Sequence, residues 1–413
     1  MTVDVASPPR SGPWTPRVAL ALSVLAAAAF VYVTAEIMPV GALPAIAADL
    51  QVSEAVVGTL LATYALVAAV STVPLVRWTA AWPRRRTLMF TLICLTVSQL
   101  ISALAPTFAV LAMGRVLCAL THGLMWSVIA PIGARMVPAT HAARATMAVY
   151  VGTGLALVVG SPLTAALSEL WGWRLAVVAI TVAAVVVLVA ARFALPQMAT
   201  TAAAGRGRRR RTGNHRNGRL LTMCGLTLVG VTGHFISYTF IVVIIRDIVG
   251  VSGPNLAWLL AAYGVAGLAA MGVLARPGDR NPKAAIAGCL AGLSLVFAVL
   301  AGLGFGGAGT VPAMLAGIVA VIAWGATATA VPPMLQSAAM RHCPEDPDEA
   351  SGFYVAAFQV GIMAGSLIGG LLFQHAGEAV MLTASAVLVA GALAGVLIGR
   401  RNLFATTAVT SEK

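Results

Sequence analysis

Twelve hydrophobic runs, separated by shorter polar segments, follow one another along the 413-residue chain. Most runs are about 20 residues long, which is the length that an α-helix needs to cross a hydrocarbon core about 30 Å thick. The runs cover residues 18–40, 55–76, 87–105, 108–130, 146–168, 175–195, 220–245, 256–275, 284–303, 311–332, 351–374 and 379–399. The pattern predicts an all-α membrane protein with twelve transmembrane helices.

Basic residues mark alternate gaps between these runs. Twenty-three of the 26 Lys and Arg residues fall in the even-numbered gaps or at the two chain ends, counting Arg192 in the last turn of its run. Arg174 and Arg246 lie in odd-numbered gaps, and Arg115 lies deep inside a run. Because positively charged loops stay in the cytoplasm, the even gaps and both termini are expected on the cytoplasmic face.

The composition excludes a soluble domain, since 60% of the residues are hydrophobic and 9% are charged. A net charge of +13 would suggest nucleic-acid binding in a soluble protein, but here the bases are distributed over one membrane face. We therefore expect contact with anionic lipid head groups and no nucleic-acid partner. The five cysteines show no C-x-x-C spacing, so we expect no disulfide, metal site or cofactor.

A polar segment divides the chain between the sixth and seventh runs. This segment carries seven arginines among Gly, Thr and Asn, so it cannot bury a core and is expected to be a flexible cytoplasmic linker. The predicted organisation is a cytoplasmic tail (1–17), a six-helix bundle (18–195), the linker (196–219), a second six-helix bundle (220–399) and a cytoplasmic tail (400–413).

The two halves also share a short sequence repeat. Leu60-Leu61-Ala62-Thr63-Tyr64 in the second run matches Leu259-Leu260-Ala261-Ala262-Tyr263 in the eighth run at four of five positions. The offset of six runs favours two homologous bundles around a central site, which is the architecture of alternating-access carriers.

Several motifs carry a resemblance to a known family. They are Thr34–Leu50 with Val52-Ser53, Tyr64-Ala65-Leu66, Pro74-Leu75, Pro83–Arg86, Gly114-Arg115, His122-Gly123 and Gly172-Trp173-Arg174. Over nearly its whole length the chain resembles the major facilitator superfamily. Within it, the chain is most similar to bacterial twelve-helix drug:proton antiporters, the branch with sugar-efflux and chloramphenicol-resistance-type exporters. The resemblance implies a monomeric, multi-pass protein of the bacterial plasma membrane.

Two conformational motifs of that family are present in altered form. Arg84, Arg85 and Arg86 match the basic end of a cytoplasmic latch motif, but its acid is missing, since no Asp or Glu lies between Glu54 and Arg86. The eighth gap holds a degenerate copy, Asp279-Arg280. In the fifth run, the spaced glycines and proline of the antiporter motif are Gly152, Gly154, Gly160 and Pro162. Small residues allow close helix approach, and proline frees a carbonyl for bending.

Charge inside a membrane is costly, so intramembrane ionisable residues are the first functional candidates. Of the 13 acids, Glu36 is the one inside a run. Both Glu36 and Arg115 are expected about 10 Å below the outer surface, given the helical rise of about 1.5 Å per residue. We hypothesise that Glu36 is the proton and substrate switch and that Arg115, which could pair with it, biases its protonation. The alternative for Glu36 is an interfacial acid. The alternatives for Arg115 are a buried structural ion pair and a lipid-facing residue.

His122 lies seven residues after Arg115, on the same face of the predicted helix. It is either a proton relay or a neutral residue packed through hydrogen bonds. His234 and Tyr238, four residues apart in the seventh run, form a similar candidate pair for substrate contact. The other candidates for a substrate pocket are aromatic or amide residues within runs: Tyr32, Tyr64, Trp126, Tyr263, Trp324 and Gln359. Each aromatic residue has ordinary helix packing as its alternative.

The residue types argue against ATP hydrolysis as the energy source for transport. A phosphate-binding P-loop needs Gly-Lys-Ser/Thr, whereas the two lysines are Lys283 after a proline and Lys413 at the end. No catalytic set stands out, so we expect a proton-coupled exporter of small amphipathic molecules and not an enzyme. The alternatives are an exporter of sugars or other metabolites, and, from another class, a facilitative channel or a membrane receptor.

Overall fold

A computed structural model describes residues 14–52, 54–197, 217–252, 254–306, 310–344, 346–399 and 403–404. Residues 198–216 of the predicted linker and most of both predicted tails lie outside these described residues. The described residues are helical and contain no strand. We refer to residues 14–197 as the first half and to residues 217–404 as the second half.

The first half contains eight helices. They are α1 (Pro16–Gly41), α2 (Leu43–Leu50), α3 (Glu54–Trp78), α4 (Arg84–Ala103), α5 (Phe108–Arg135), α6 (Ala142–Leu155), α7 (Ser161–Trp171) and α8 (Trp173–Ala194). A short 3₁₀ turn (Ala139–His141) precedes α6. A π-helical turn (Ala156–Gly160) joins α6 to α7.

The second half contains seven helices. They are α9 (Gly218–Tyr238), α10 (Ile241–Ile244), α11 (Pro254–Arg280), α12 (Pro282–Gly306), α13 (Val311–Arg341), α14 (Pro347–Ala376) and α15 (Glu378–Ile398). A second π-helical turn (Ile245–Val249) follows α10.

Short polar side chains define where several helices begin. The hydroxyl groups of Thr15, Thr107 and Thr310 accept hydrogen bonds from the first-turn amides of α1, α5 and α13. Asn217 and Asp346 do the same for α9 and α14. Each cap satisfies an amide that has no partner within its helix. These five helices therefore begin at defined residues.

Eleven helical segments of the described chain are long and apolar enough to span a membrane. They correspond to eleven of the twelve predicted runs. The run at residues 55–76 falls in α3, where the described apolar portion covers Thr63–Trp78 and is shorter than a full span. The prediction of an all-α membrane protein is confirmed, and the count of twelve crossings stays a prediction.

The helices α13 and α14 extend beyond the hydrophobic runs that predicted them. The predicted run ended at residue 332, but α13 continues to Arg341 and has 31 residues. At about 1.5 Å per residue α13 is about 45 Å long, which exceeds the hydrocarbon core. The helix α14 begins at Pro347, before the predicted start at residue 351. Polar residues in these extensions, such as Gln336 and Asp348, are buried against protein, so hydropathy alone ended the runs too early.

Helix packing is mainly within each half. In the first half α4 packs against α5 and α8, and α1 packs against α6 and α8; in the second half α9 packs against α14 and α15, and α12 packs against α13 and α15. The halves meet where α3 and α5 contact α14, and where α6 contacts α11 and α13. These contacts between the halves include buried ion pairs.

Single glycines make two similar turns, one in each half. Gly172 joins α7 to α8, and Gly377 joins α14 to α15. Their φ angles are +87° and +80°, a conformation that residues with a Cβ rarely adopt. The recurrence of this turn supports the repeat that the Leu60–Tyr64 match predicted.

Candidate functional site

The first-half candidates come together in one buried group. The helices α1, α3 and α5 contribute Glu36, Tyr64, Arg115, Cys118 and His122, which we call the polar cluster. Arg115 and His122 are 2% and 3% exposed. The structure places Arg115 and His122 on one face of α5, and both lie beside Glu36.

Arg115 contacts Glu36 in a way that the sequence did not predict. Its two terminal nitrogens donate hydrogen bonds to the backbone carbonyl oxygens of Ala35, at 2.6 Å, and of Glu36, at 2.7 Å. The guanidinium carbon also lies 5.0 Å from the centre of the Tyr64 ring. The expected pairing with the Glu36 carboxylate is thus replaced by pairing with the backbone of α1.

The Glu36 carboxylate lies nearest to His122 instead. Its Oε2 is 3.9 Å from His122 Nδ1, and the Glu36 side chain is 19% exposed. The same His122 nitrogen is 2.9 Å from the Tyr64 hydroxyl. The Tyr64 hydroxyl also lies 3.4 Å from Cys118 Sγ. A carboxylate and a phenol therefore lie on either side of His122 Nδ1, and the carboxylate is partly accessible.

Two other first-half candidates face different surroundings. The Tyr32 hydroxyl donates to the carbonyl of Thr91 at 2.7 Å and lies 3.2 Å from the Thr121 hydroxyl. Both partners are within the first half, so the polar end of Tyr32 is used in packing. The Trp126 ring contacts the Tyr150 ring, with ring centres 4.9 Å apart and planes tilted by 42°. Its backbone carbonyl accepts a hydrogen bond from Gln336 of the second half.

The second-half candidates form an aromatic cluster. It consists of His234, Tyr238, Tyr263, Phe297 and Trp324, from α9, α11, α12 and α13. The ring centres of His234 and Tyr238 are 5.1 Å apart, and those of His234 and Trp324 are 5.9 Å apart. The predicted pair of His234 and Tyr238 is thus in contact and joined by two further predicted residues, Tyr263 and Trp324.

Two buried polar atoms of this cluster, Trp324 Nε1 and His234 Nε2, lack a hydrogen-bond partner among the described residues. The predicted pocket residue Gln359, in α14, has an Oε1 that likewise lacks one. The Trp324 side chain is fully buried, and Gln359 is 3% exposed. Because an unpaired buried polar atom is costly, such atoms are candidates for hydrogen bonds to a bound molecule.

The latch residues contact an acid that sequence reasoning missed. Asp348 of α14 is fully buried, and its Oδ2 lies 2.6 Å from Arg84 Nε and 2.7 Å from the Arg135 terminal nitrogen. Arg77 of α3 pairs with Glu349 at 3.0 Å. We call these five residues the ionic network. The acid absent from the second gap is therefore supplied by the opposite half of the chain.

The degenerate copy of the motif also joins the halves. Asp279, at the end of α11, forms an ion pair with Arg144 and accepts a hydrogen bond from the Ala143 amide at 2.9 Å. Arg280 is exposed. Arg85 is partly exposed, and Arg86 lies over the Trp82 ring at 5.0 Å. Of the three predicted basic residues, Arg84 is the one that reaches the second half.

Gln336 is a further contact that the sequence did not reveal. It donates to the Trp126 carbonyl at 3.2 Å and to the Ser351 hydroxyl at 2.8 Å, and it accepts from the Tyr150 hydroxyl at 3.0 Å. The predicted run ended before Gln336, so the sequence did not indicate that Gln336 is buried between the two halves. Asp348 was not predicted either. Acidic residues are common in the first turn of a helix, so its position did not indicate a contact with the other half.

The predicted glycines of the antiporter motif pack α6 against α1. At Gly152 an added Cβ would overlap the Ala26 carbonyl, and at Gly160 it would overlap the Thr34 side chain. Gly154 instead faces Leu268 of the second half. The side chain of Pro162 lies outside the described part of the structure. The glycines thus act through close approach of helices, as their spacing predicted.

Comparison with known proteins places these observations in a family. The sequence matches the Major Facilitator Superfamily over residues 25–347 and again over residues 222–411. The chain belongs to the major facilitator superfamily. Two chloramphenicol efflux pumps, from two strains of Mycobacterium tuberculosis, are each 63% identical to it over 388 residues, covering 94% of both chains. The chain is a multi-pass efflux transporter of the bacterial plasma membrane.

Solved structures of this superfamily share the fold. The human organic anion transporter MFSD10 superposes with a TM-score of 0.74 at 15% identity, covering 93% of this chain and 100% of that one. The proton:xylose symporter XylE gives 0.73 at 14% identity, covering 91% and 94%. The Escherichia coli fucose:proton symporter FucP gives 0.73 at 12% identity, covering 91% and 97%. At these identities the likeness concerns the fold alone.

Proposed function

We propose that this transporter exports small amphipathic drugs, chloramphenicol among them, in exchange for protons. The observation that carries the proton coupling is the Glu36 carboxylate, which is partly exposed and lies 3.9 Å from His122 in an otherwise buried cluster. The 63% identity to chloramphenicol efflux pumps supports the substrate class. In this proposal the transporter is a monomer. It has twelve transmembrane helices in two bundles, and both termini are cytoplasmic.

A single carboxylate can couple two fluxes when its protonation and substrate occupancy exclude each other. Substrate that donates hydrogen bonds to the ionised Glu36 carboxylate loses them when the acid is protonated, so proton and substrate each weaken the binding of the other. His122 and the Tyr64 hydroxyl supply a path by which the proton reaches or leaves the carboxylate. Alternating exposure of this site to the two sides then exchanges proton for drug.

The aromatic cluster supplies the apolar side of the proposed pocket. Aromatic faces bind varied rings through burial and stacking, without the fixed set of hydrogen bonds that a sugar needs. The unpaired Trp324 Nε1 and His234 Nε2 are donors or acceptors for a polar group of the substrate. The aromatic composition therefore favours drugs over sugars.

The ionic network supports a state in which the transporter is closed at the end where the network lies. Arg77, Arg84 and Arg135 lie in or beside the even gaps, which the positive-inside rule assigns to the cytoplasm. Their pairs with Asp348 and Glu349 of the second half hold the two halves together there. In the proposed cycle these pairs break when the site opens to the cytoplasm to take up drug.

Proton flux driven by drug tests the proposal. In energised everted vesicles containing the transporter, chloramphenicol should release internal protons, measured as recovery of the fluorescence of a pH-gradient dye. In Glu36→Gln the recovery should fall at least about tenfold, because glutamine cannot bind and release the proton. A tenfold loss corresponds to about 1.4 kcal/mol. Glu378→Gln, at the start of α15, is the control and should match the wild type.

Three results would overturn the proposal. Undiminished drug-driven proton release in Glu36→Gln would remove Glu36 from the coupling mechanism. Recovery induced by sugars and not by chloramphenicol would assign the transporter to metabolites instead. Drug flux that is unaffected by an uncoupler would indicate a facilitative channel.

A further inference from the structure

Pro39 leaves one carbonyl of α1 without its helical partner. In an α-helix the carbonyl of residue 35 accepts from the amide of residue 39, but proline has no amide hydrogen. A proline ring inside a helix also clashes with that carbonyl, which kinks or opens the helix at that turn. Pro39 lies three residues after Glu36, so this turn, which we call the Pro39 bend, lies at the candidate proton site.

Arg115 binds the carbonyl that Pro39 leaves unpaired. One terminal nitrogen of the guanidinium donates to Ala35 at 2.6 Å, and the other donates to the next carbonyl, Glu36, at 2.7 Å. The bond to Ala35 is buried, and Ala35 is itself fully buried. The planar fork of arginine matches two successive acceptors, which the point charge of a lysine cannot do.

The backbone beneath Arg115 is held by a neighbouring helix. The Gly114 carbonyl accepts a hydrogen bond from Ser98 of α4 at 2.7 Å, and a Cβ on Gly114 would crowd Ser102. Ser98, Ser102 and Gly114 therefore let α4 and α5 approach closely. The guanidinium thus projects from a packed helix pair rather than from a mobile segment.

We propose that Arg115 is a positioning residue that clamps the Pro39 bend of α1 and thereby holds Glu36 against His122. Its guanidinium replaces the hydrogen bond that proline removes, so the bend has one defined geometry. The clamp itself rests on these contacts alone, while its effect on transport rests on the proposed role of Glu36. This role differs from an ion pair with the Glu36 carboxylate, which the structure does not form.

The alternative is that Arg115 acts by charge alone. The titratable groups that face it are Glu36 from α1, Tyr64 from α3, and Cys118 and His122 from its own helix. A lysine would keep the positive charge near these groups but lose the two-pronged contact. The two roles therefore predict different results for Arg115→Lys and for its combination with Pro39→Ala.

A double-mutant cycle separates the two roles through stability. Alanine at position 39 restores the amide hydrogen, so the Ala35 carbonyl no longer needs the clamp. Arg115→Lys should lower the Tm of the detergent-purified protein by about 3 °C or more, as loss of a buried hydrogen bond does. In the Pro39→Ala background the same substitution should lower the Tm by less than about half as much. Additive effects would overturn the clamp.

A matched control uses another arginine that binds a carbonyl. Arg174 donates to the Ala105 carbonyl at 2.8 Å, away from Pro39. Arg174→Lys and Pro39→Ala should be additive in Tm. If Arg115→Lys does not yield folded protein, hydrogen exchange of α1 in Arg115→Gln provides the second measurement. Faster exchange around residues 35–42 that Pro39→Ala suppresses would support the clamp, and unchanged exchange would overturn it.

The transport readout separates this inference from the proposed function. With the clamp lost, drug-driven proton release in Arg115→Lys should shift its pH dependence, and Pro39→Ala should move it back toward the wild type. If the Tm cycle shows coupling while Glu36→Gln transports normally, the clamp holds and the proposed proton site fails. If the cycle is additive while Glu36→Gln is inactive, the proton site holds and the clamp fails.

Discussion

Trp324 is a buried side chain with a hydrogen-bond donor that the rest of the described protein does not use. The indole is fully buried against Phe297 and Tyr263, yet its Nε1 lacks a partner among the described residues. An unpaired buried donor costs stability unless a ligand satisfies it. We propose that this donor forms a hydrogen bond to the substrate.

Replacement of Trp324 by phenylalanine tests this reading. Trp324→Phe keeps an aromatic ring and deletes the unpaired donor, so the Tm should fall by less than about 2 °C. The apparent KM for chloramphenicol should rise about 5- to 20-fold, the loss expected for one hydrogen bond of about 1–2 kcal/mol. Vesicle efflux at graded drug concentrations and thermal unfolding provide the two measurements.

Tyr354→Phe is the matched control. The Tyr354 hydroxyl donates to the Pro332 carbonyl at 2.9 Å, so its loss leaves a used acceptor unpaired. We expect a lower Tm and an unchanged KM. A pattern in which Trp324→Phe destabilises the protein and leaves KM unchanged would make Trp324 a packing residue.

At the scale of helices, the contact between α1 and α6 depends on glycine. An added Cβ at Gly152 would overlap backbone atoms of Ala26, and backbone cannot move aside as a flexible side chain can. This contact positions α1, which carries Glu36 and Pro39. Close packing of the two helices and placement of the candidate proton site are therefore linked.

Gly152→Ala should destabilise the transporter, although alanine is a better helix former than glycine. Overpacking against backbone costs up to about 3 kcal/mol, whereas the gain in helix propensity is about 1 kcal/mol, so the net loss is up to about 2 kcal/mol. The Tm in detergent should fall by about 2 °C. Gly225→Ala in α9 is the control, because an added Cβ there has open space around it and should leave the Tm equal or higher. Equal Tm values for the two variants would contradict this account.

At the scale of the whole molecule, the two halves are joined by buried charge. Asp348 has no exposed surface and faces Arg84 and Arg135 of the first half. Removal of one charge from a buried network leaves its partners uncompensated, which costs about 3–5 kcal/mol. In a transporter this cost falls on the closed state, so the balance between states shifts toward opening.

Asp348→Asn should open the end of the molecule that holds the ionic network. A reporter cysteine at Ala350, which is fully buried, should react at least about threefold faster with a maleimide in Asp348→Asn, in a background without the five native cysteines. Asp247→Asn is the control, since Asp247 pairs with its exposed neighbour Arg246, whose hydrogen bond keeps the pKa of the Asp247 carboxyl below its usual range. Equal labelling rates in all three proteins would rule out a latch.

Part of the candidate site could be predicted because charged residues are rare within the hydrophobic runs. Glu36 and Arg115 stand out because acids and bases are excluded from lipid, and that rule needs no coordinates. The pairing of His234 with Tyr238 followed from helical spacing. The manner in which Arg115 binds, through carbonyls beside a proline, did not follow, because backbone acceptors carry no sequence signature.

The sequence by itself determined the helical membrane class, the family and the short set of intramembrane polar residues, because hydropathy and charge act on each segment independently of its neighbours. Only the tertiary structure decided which residues meet. It brought Asp348 to Arg84, extended α13 to Gln336 and turned Arg115 toward the backbone of α1. These contacts join residues distant in sequence, and their partners are selected by helix packing and by the need to satisfy buried polar atoms, which no local pattern encodes.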